Sequence, residues 1–161
     1  MKQINIYTDG SCKGNPGPGG YAALLCYRGT KKEIAGYDTE TTNNKMELRG
    51  VIEALGALKE PCEVSLFSDS KYVCDGVSKG WVYKWKENGW MRNKKEKAQN
   101  VPLWEELLEL LLIHRVTFFW VKGHNDHPEN ERCDELATAQ AALAAQKLQK
   151  SGQYHKNPLK D

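Results

Sequence analysis

The chain of 161 residues is 40% hydrophobic and 27% charged, which fits one globular domain and excludes a disordered or collagen-like chain. No apolar run reaches the ~18–20 residues of a membrane span, and the N-terminus lacks the apolar core of a signal peptide, so we expect no membrane partner and no export. The net charge is only +2, but residues 79–97 carry seven cations and two acids, and this +5 segment predicts an anionic partner at one place on the surface.

The first 40 residues predict three strands. A strand over 2–8 is followed by a loop rich in glycine and proline over 11–20, and then by strands over 21–28 and 31–40. The turn between the last two is short enough for a hairpin, so we expect an antiparallel meander. We expect the glycines of the loop to allow the close approach of a large ligand to the backbone.

After Thr42 the apolar residues recur at helical spacing. They predict a helix that is capped by Thr42 or Asn43 and ends before Pro61. A strand over 63–68 and a short helix from Ser70 follow.

The second half of the chain continues the alternation of helices and strands. The segment 79–99 is aromatic and basic with few aliphatic residues, which predicts a protrusion of helix and loop. A leucine-rich helix over 101–113, a strand over 115–121, a loop and a final helix over 129–150 complete the pattern. We expect one domain over 1–150, with a flexible tail over 151–161. Because helices separate the strands at 2–8, 63–68 and 115–121, these strands should run parallel in a mixed α/β sheet.

Four carboxylates occupy unusual positions in this pattern. Asp9 and Asp69 each follow directly on a predicted parallel strand, so they should lie together at the edge of the sheet where ligands bind. Glu47 and Asp134 lie on helical stripes with apolar residues, which directs both toward the interior. Four buried acids need a countercharge, and Mg²⁺ is the cation that a few carboxylates typically hold. The residues alone leave open that each acid is a cap, a turn residue or a solvated charge.

His124, Asp126 and His127 cluster after the last strand. Three interpretations stay open at this point: a zinc site, a loop histidine that transfers protons near a metal site, and a solvated loop.

Aromatic residues alternate with the lysines of the basic segment. Trp81, Tyr83, Trp85 and Trp90 could stack on bases or sugars while the lysines meet phosphates, or they could pack on the body of the protein. We expect both, because a protrusion that binds nucleic acid must also be anchored.

The five cysteines are odd in number and include no C-x-x-C pair. We therefore expect reduced thiols in the cytoplasm and neither a disulfide framework nor a cysteine-rich zinc site.

The motifs assembled along residues ~4–140 resemble bacterial type 1 ribonuclease H. They are, in chain order, YTDGSC at 7–12, GNPGPGGY at 14–21, TTNNKMEL at 41–48, SDS at 68–70, WVKGH at 120–124 and HPENERCDELA at 127–137. Together they are highly specific. The resemblance implies a five-stranded mixed sheet with helices on both faces and an endoribonuclease that cleaves the RNA strand of an RNA–DNA hybrid.

The resemblance also implies a site. It assigns Mg²⁺, with Mn²⁺ as a substitute, to Asp9, Glu47, Asp69 and Asp134, and it assigns His124 to a mobile catalytic loop. It assigns minor-groove contacts to Cys12, Asn15, Asn43 and position 71, and a phosphate of the DNA strand to Thr42 with Asn15. The full set of implied substrate contacts is Cys12, Asn15, Thr42, Asn43, Asn44, Lys71, Trp81, Lys84, Trp85 and Lys86. Lys71 departs from the pattern, since glutamine is expected there.

We expect a monomeric enzyme whose carboxylates hold two metal ions during phosphodiester hydrolysis, leaving 5′-phosphate and 3′-hydroxyl ends. Removal of RNA primers and R-loops is the role that the resemblance implies. Three alternatives stay open: a catalytically silent module that binds hybrids, a DNA-directed nuclease or resolvase on a similar sheet, and a domain of a reverse transcriptase.

Overall fold

A computed structural model describes residues 1–122 and 127–151 and contains one five-stranded sheet with five helices. The strands are β1 (Lys2–Cys12), β2 (Gly17–Tyr27), β3 (Thr30–Thr41), β4 (Cys62–Ser68) and β5 (Arg115–Trp120). The helices are α1 (Asn43–Gly56), α2 (Lys71–Ser78), α3 (Trp81–Glu87), α4 (Val101–Ile113) and α5 (Pro128–Ser151). None of the helices in these two ranges is long and apolar enough to cross a membrane.

The sheet is mixed, as the sequence predicts. Its strand order is β3-β2-β1-β4-β5. Strands β1, β2 and β3 form the antiparallel meander, while β1, β4 and β5 run parallel. The carboxyl ends of β1 and β4 therefore meet at one edge, which is the expected location of the acidic site.

Helices cover both faces of the sheet. The alternation of side chains along β2 shows why: Ala23 and Leu25 face a core that includes residues of α1, α2, α3 and α4. Ala22 and Leu24 face the other way and pack on Cys133 and Ala137 of α5. The prediction of helices on both faces is confirmed.

Side-chain caps start α1 at Thr42, one of the two predicted cap residues, and α2 at Ser70, where the sequence predicts the start of a helix. The hydroxyl of Thr42 accepts a hydrogen bond from the backbone N–H of Lys45 at 3.2 Å, and that of Ser70 accepts one from Val73 at 3.2 Å. These bonds satisfy N–H groups that have no partner inside the helix.

Two strands, β1 and β2, extend by four residues into the segment that the sequence predicts as a loop. Strand β1 continues through Asp9 to Cys12, and β2 starts at Gly17, because Cys12 pairs with Gly19 and Ser11 with Gly20. Glycine carries no side chain and so adds nothing to a hydropathy pattern, yet its backbone pairs like any other. The expectation that these glycines admit a ligand is wrong for Gly20, since a Cβ there would lie 2.4 Å from the Ala137 carbonyl oxygen. The missing side chain lets α5 pack directly on β2.

The basic segment at 79–99 is both anchored and exposed. Val82 is fully buried, and the ring of Trp85 contacts Trp104 edge to face at 6.2 Å. Trp90 also packs against the core, while Trp81 and Tyr83 stay more than 40% exposed. The segment therefore presents its lysines and two aromatic rings to solvent from a fixed base.

Candidate active site

Three of the four predicted carboxylates converge in the structure. One oxygen each of Asp9, Glu47 and Asp69 lies within 4.8 Å of the other two. Asp9 and Glu47 are buried, with 8% and 3% of their surface exposed, and Asp69 is half-buried at the rim.

Sheet register brings Asp9 and Asp69 together. Strands β1 and β4 pair in parallel from Lys2 with Cys62 through Tyr7 with Phe67. Each aspartate stands two residues beyond that last pair, one on β1 and one just after β4. The prediction that these two side chains lie side by side is confirmed.

Gly10 brings Glu47 to the same place. A Cβ on residue 10 would lie 2.7 Å from the Glu47 nitrogen, so only glycine allows α1 to approach β1 this closely. The N–H of Gly10 then donates to both acids, at 2.8 Å to Asp9 Oδ1 and 2.9 Å to Glu47 Oε1.

The second oxygen of Glu47 is the feature that best fits a cation. Glu47 Oε2 is buried and has no hydrogen-bond partner among the described residues. An unpaired buried carboxylate oxygen is costly, and a hard divalent cation bound by oxygen ligands would satisfy it. The donor set consists of carboxylates alone, which suits Mg²⁺ or Mn²⁺ better than a metal that prefers sulfur or nitrogen.

Burial and mutual repulsion keep two of the acids from ionising at their usual pH. Burial raises the pKa of Asp9 to about 7, with the charge of Asp69 adding to the effect. Burial also raises the pKa of Glu47 well above its ordinary value, and the charge of Asp9 is the next cause. A bound cation would reverse both effects.

The fourth carboxylate lies at the margin of this cluster. Asp134 is half-buried on α5 and is not one of the three residues whose oxygens lie within 4.8 Å, although its charge contributes to the raised pKa of Asp9. His124 lies outside the described residues, as does Asp126.

The implied substrate contacts on the first loop and on α1 form one surface. Asn15 Oδ1 accepts a hydrogen bond of 3.1 Å from the backbone N–H of Asn43. Thr42 caps the same helix, and Asn44 is half-buried on its first turn. The thiol of Cys12 donates to the Thr41 carbonyl at 3.4 Å. These bonds bring together residues that are about 30 positions apart in the chain.

The remaining implied contacts lie on α2 and α3. Lys71 is the exposed first residue of α2, close to Asp69 in sequence. Lys84, Lys86 and Trp81 are exposed on α3. Trp85 packs against Trp104, so the structure gives it an anchoring contact.

Two groups of this site are absent from the sequence predictions. One is the backbone N–H of Gly10, which the Asp-Gly pair could have indicated. The other is Trp120, whose indole Nε1 donates a hydrogen bond of 3.0 Å to the backbone carbonyl of Asp69. The sequence predicts that these two strands run parallel, but the register that pairs Ser68 with Trp120, and so brings Trp120 beside Asp69, is visible only in the structure.

Comparison with known proteins identifies the family. The RNase H family model matches residues 1–142. The chain is 57% identical over 141 residues to a ribonuclease H of Desulforamulus reducens, covering 88% of this chain and 89% of the relative. It is 58% identical over 139 residues to a ribonuclease HI of Brucella melitensis, covering 86% and 90% of the two chains.

A solved structure gives the same result. LC9-RNase H1, described as a type 1 RNase H with the type 2 active-site motif, superposes with a TM-score of 0.79 at 34% identity, covering 89% of this chain and 74% of that one. The chain therefore belongs to the ribonuclease H family and is an endoribonuclease.

Proposed function

We propose that this chain hydrolyses the RNA strand of RNA–DNA hybrids at a divalent-metal site made by Asp9, Glu47, Asp69 and Asp134. The observation that carries the proposal is the group of three carboxylates within 4.8 Å, in which a buried oxygen of Glu47 has no partner among the described residues. Mg²⁺ is the proposed ion and Mn²⁺ its substitute.

Each carboxylate has a proposed part in holding two ions. Asp9, whose carboxyl group is affected by the charges of both Asp69 and Asp134, would be the ligand shared by the two ions; Glu47 and Asp69 would hold one ion and Asp134 the other. When bound, the ions would activate water and offset the charge that develops on the phosphate. Hydrolysis would leave 5′-phosphate and 3′-hydroxyl ends. His124 is the proposed proton-transfer or product-release residue, on the basis of the family resemblance.

The rest of the chain supplies recognition. Cys12, Asn15, Asn43 and Asn44 form the proposed minor-groove surface, and Thr42 with Asn15 the proposed pocket for a phosphate of the DNA strand. Asn15 and Asn43 support this role because their mutual hydrogen bond of 3.1 Å holds both at the end of α1. Selection for RNA would follow from the 2′-hydroxyl groups that only RNA presents across a wide minor groove.

The basic segment at 79–99 is the proposed handle for the hybrid backbone, within one domain over 1–150 that precedes a tail over 151–161. We further propose a cytoplasmic monomer that removes RNA primers and R-loops. Free thiols at all five cysteines are consistent with a reducing compartment.

A cleavage assay tests the proposal. An RNA strand labelled at one end is annealed to DNA, and the same sequence is prepared as RNA–RNA and DNA–DNA duplexes. With Mg²⁺, we expect cuts in the RNA of the hybrid and none in the two other duplexes. Binding of the hybrid without cleavage would indicate a silent binding module, and cleavage of the DNA duplex would indicate a DNA-directed nuclease; either result contradicts the proposal.

A further inference from the structure

Trp120 lies at the rim of the carboxylate cluster and is fixed there. It ends β5, and its indole Nε1 donates a hydrogen bond of 3.0 Å to the Asp69 backbone carbonyl. An indole has a single donor, so this bond fixes the ring relative to the end of β4. The side chain nevertheless stays 44% exposed, which leaves much of the ring accessible.

The ammonium group of Lys71 contacts the accessible ring of Trp120. Lys71 Nζ lies 4.6 Å from the centroid of the Trp120 ring, well within the range of a cation–π contact. Lys71 is two residues beyond Asp69 and is exposed at the start of α2. An exposed lysine otherwise samples many rotamers, and the contact favours the one that keeps its ammonium at the Trp120 ring, which is itself bonded to the Asp69 backbone.

The chemistry of this ammonium differs from that of the glutamine expected at position 71. A glutamine amide is neutral and can read the edge of a base or a sugar hydroxyl. An ammonium is a compact charge with three donors and is a natural partner for a phosphate oxygen. A hybrid that presents a phosphate to the carboxylate cluster brings its neighbouring phosphates to the rim as well.

We propose that Lys71, positioned by Trp120, contacts a backbone phosphate of the hybrid beside the cleavage site, in place of the base or sugar contact expected of glutamine. Trp120 is a positioning residue in this scheme, because it acts through Lys71. The inference rests on the proposed action on hybrids.

Binding without chemistry tests the contact directly. Affinity for a labelled hybrid is measured in EDTA from 50 to 200 mM KCl for the wild type and for Lys71→Gln and Lys71→Arg. We expect Lys71→Gln to flatten the slope of log affinity against log salt by up to about 0.9, so that its affinity loss is about threefold larger at 50 than at 200 mM. Lys71→Arg should restore the slope, and KM measured in Mg²⁺ should follow the same order.

Lys2 offers a matched control. Its Nζ lies 5.1 Å from the Tyr27 ring, which makes a comparable cation–π contact, but it stands at the opposite end of β1 from Asp9. Lys2→Gln should keep the wild-type slope.

A double-mutant cycle tests the role of Trp120. Trp120→Leu removes the ring face and should weaken hybrid binding when Lys71 is present. In the Lys71→Gln background it should cause no further loss of affinity. Thermal melts confirm folding of each variant, and the exposed Lys71 variants test the contact even where the Trp120 variants melt early.

Three outcomes would overturn the proposal. The first is a Lys71→Gln variant with wild-type affinity and slope. The second is a Lys71→Gln variant in which only the Mg²⁺ requirement and the melting temperature change, which would show that Lys71 acts as a counterion of the carboxylates. The third is additive losses in the cycle, which would mean that Trp120 does not act through Lys71. A wild type that shows the lysine-dependent slope but cuts no hybrid would instead contradict the proposed hydrolysis and support the contact.

Discussion

The buried carboxylates of Asp9 and Glu47 share one hydrogen-bond donor, the backbone N–H of Gly10, at 2.8 and 2.9 Å. A single neutral donor cannot offset two negative charges in a buried site. The second oxygen of Glu47 has no hydrogen-bond partner in the part of the chain that the structure describes. Without a cation, the charged form of this site would therefore be electrostatically unfavourable, which makes several of its properties testable.

Asp9→Asn should abolish cleavage while hybrid binding persists. Asparagine keeps an oxygen that can accept the Gly10 N–H but loses the charge that the proposed metal site needs. Cleavage of labelled hybrid in Mg²⁺ and binding in EDTA are measured on the same preparation. Glu105→Gln, which neutralises an exposed acid on α4, is the control and should keep its activity. Turnover by Asp9→Asn at the wild-type rate would show that Asp9 is not an essential metal ligand.

Without metal, the same substitution should stabilise the protein at neutral pH. The pKa of Asp9 rises from 3.8 to about 7 on folding, so the folded state binds more protons between those values and loses stability as pH rises through them. Asp9→Asn should exceed the wild type by roughly 1–4 kcal/mol in unfolding free energy at pH 7.5, with the gain vanishing near pH 4. Denaturant unfolding in EDTA at pH 7.5 and pH 4 measures the unfolding free energy of the two proteins. Equal curves for the two proteins at pH 7.5 would contradict the prediction.

Adding Mg²⁺ should invert this ranking. A ligand that binds only the folded state stabilises it, so the wild type should gain stability with Mg²⁺ concentration and Asp9→Asn should gain less. Melting temperatures over a Mg²⁺ series, with matched ionic strength, separate binding from screening. The same gain in melting temperature in both proteins would show that Mg²⁺ binding does not depend on the Asp9 carboxylate.

His124→Ala should lower kcat by ~10²–10⁴-fold without eliminating activity, because a proton-transfer group assists the reaction while the metal site remains intact. His124 lies outside the described residues, so the prediction depends on the family resemblance. His127→Ala, at an exposed neighbouring histidine, is the comparison and should have a smaller effect. An unchanged kcat across the pH profile would contradict the catalytic role and favour the interpretation of a solvated loop.

Neutralising the basic segment should weaken binding more than it slows chemistry. Each lysine that meets a phosphate adds up to ~0.9 to the slope of log affinity against log salt. Replacing five of them together by alanine should therefore flatten the slope and raise KM most at low salt. The five are Lys84, Lys86, Lys94, Lys95 and Lys97. A control with the same change in net charge replaces five exposed lysines elsewhere, namely Lys31, Lys32, Lys59, Lys147 and Lys150. Equal effects in both variants would show that net charge, and not this surface, steers the hybrid.

The sequence by itself determined the elements, the caps and the identity of the acids. Thr42 caps α1 as predicted, and α2 starts after Ser70 where a helix was predicted, because a cap acts on its own neighbours, here Lys45 and Val73. The convergence of Asp9 with Asp69 was also predictable, since each follows directly on a predicted strand and parallel strands bring their carboxyl ends to one edge of the sheet.

Tertiary structure decided what depends on distant contacts. Local spacing does not reveal that Gly20 makes room for α5, that Gly10 donates to two acids, or that Trp120 bonds to the backbone of Asp69. Glycine has no side chain to enter a hydropathy pattern, and its effect depends on which element approaches it. The pairing of the neighbouring strands β4 and β5 likewise brings positions 69 and 120 together although they are about 50 residues apart in the chain, and no periodicity along the chain encodes that register.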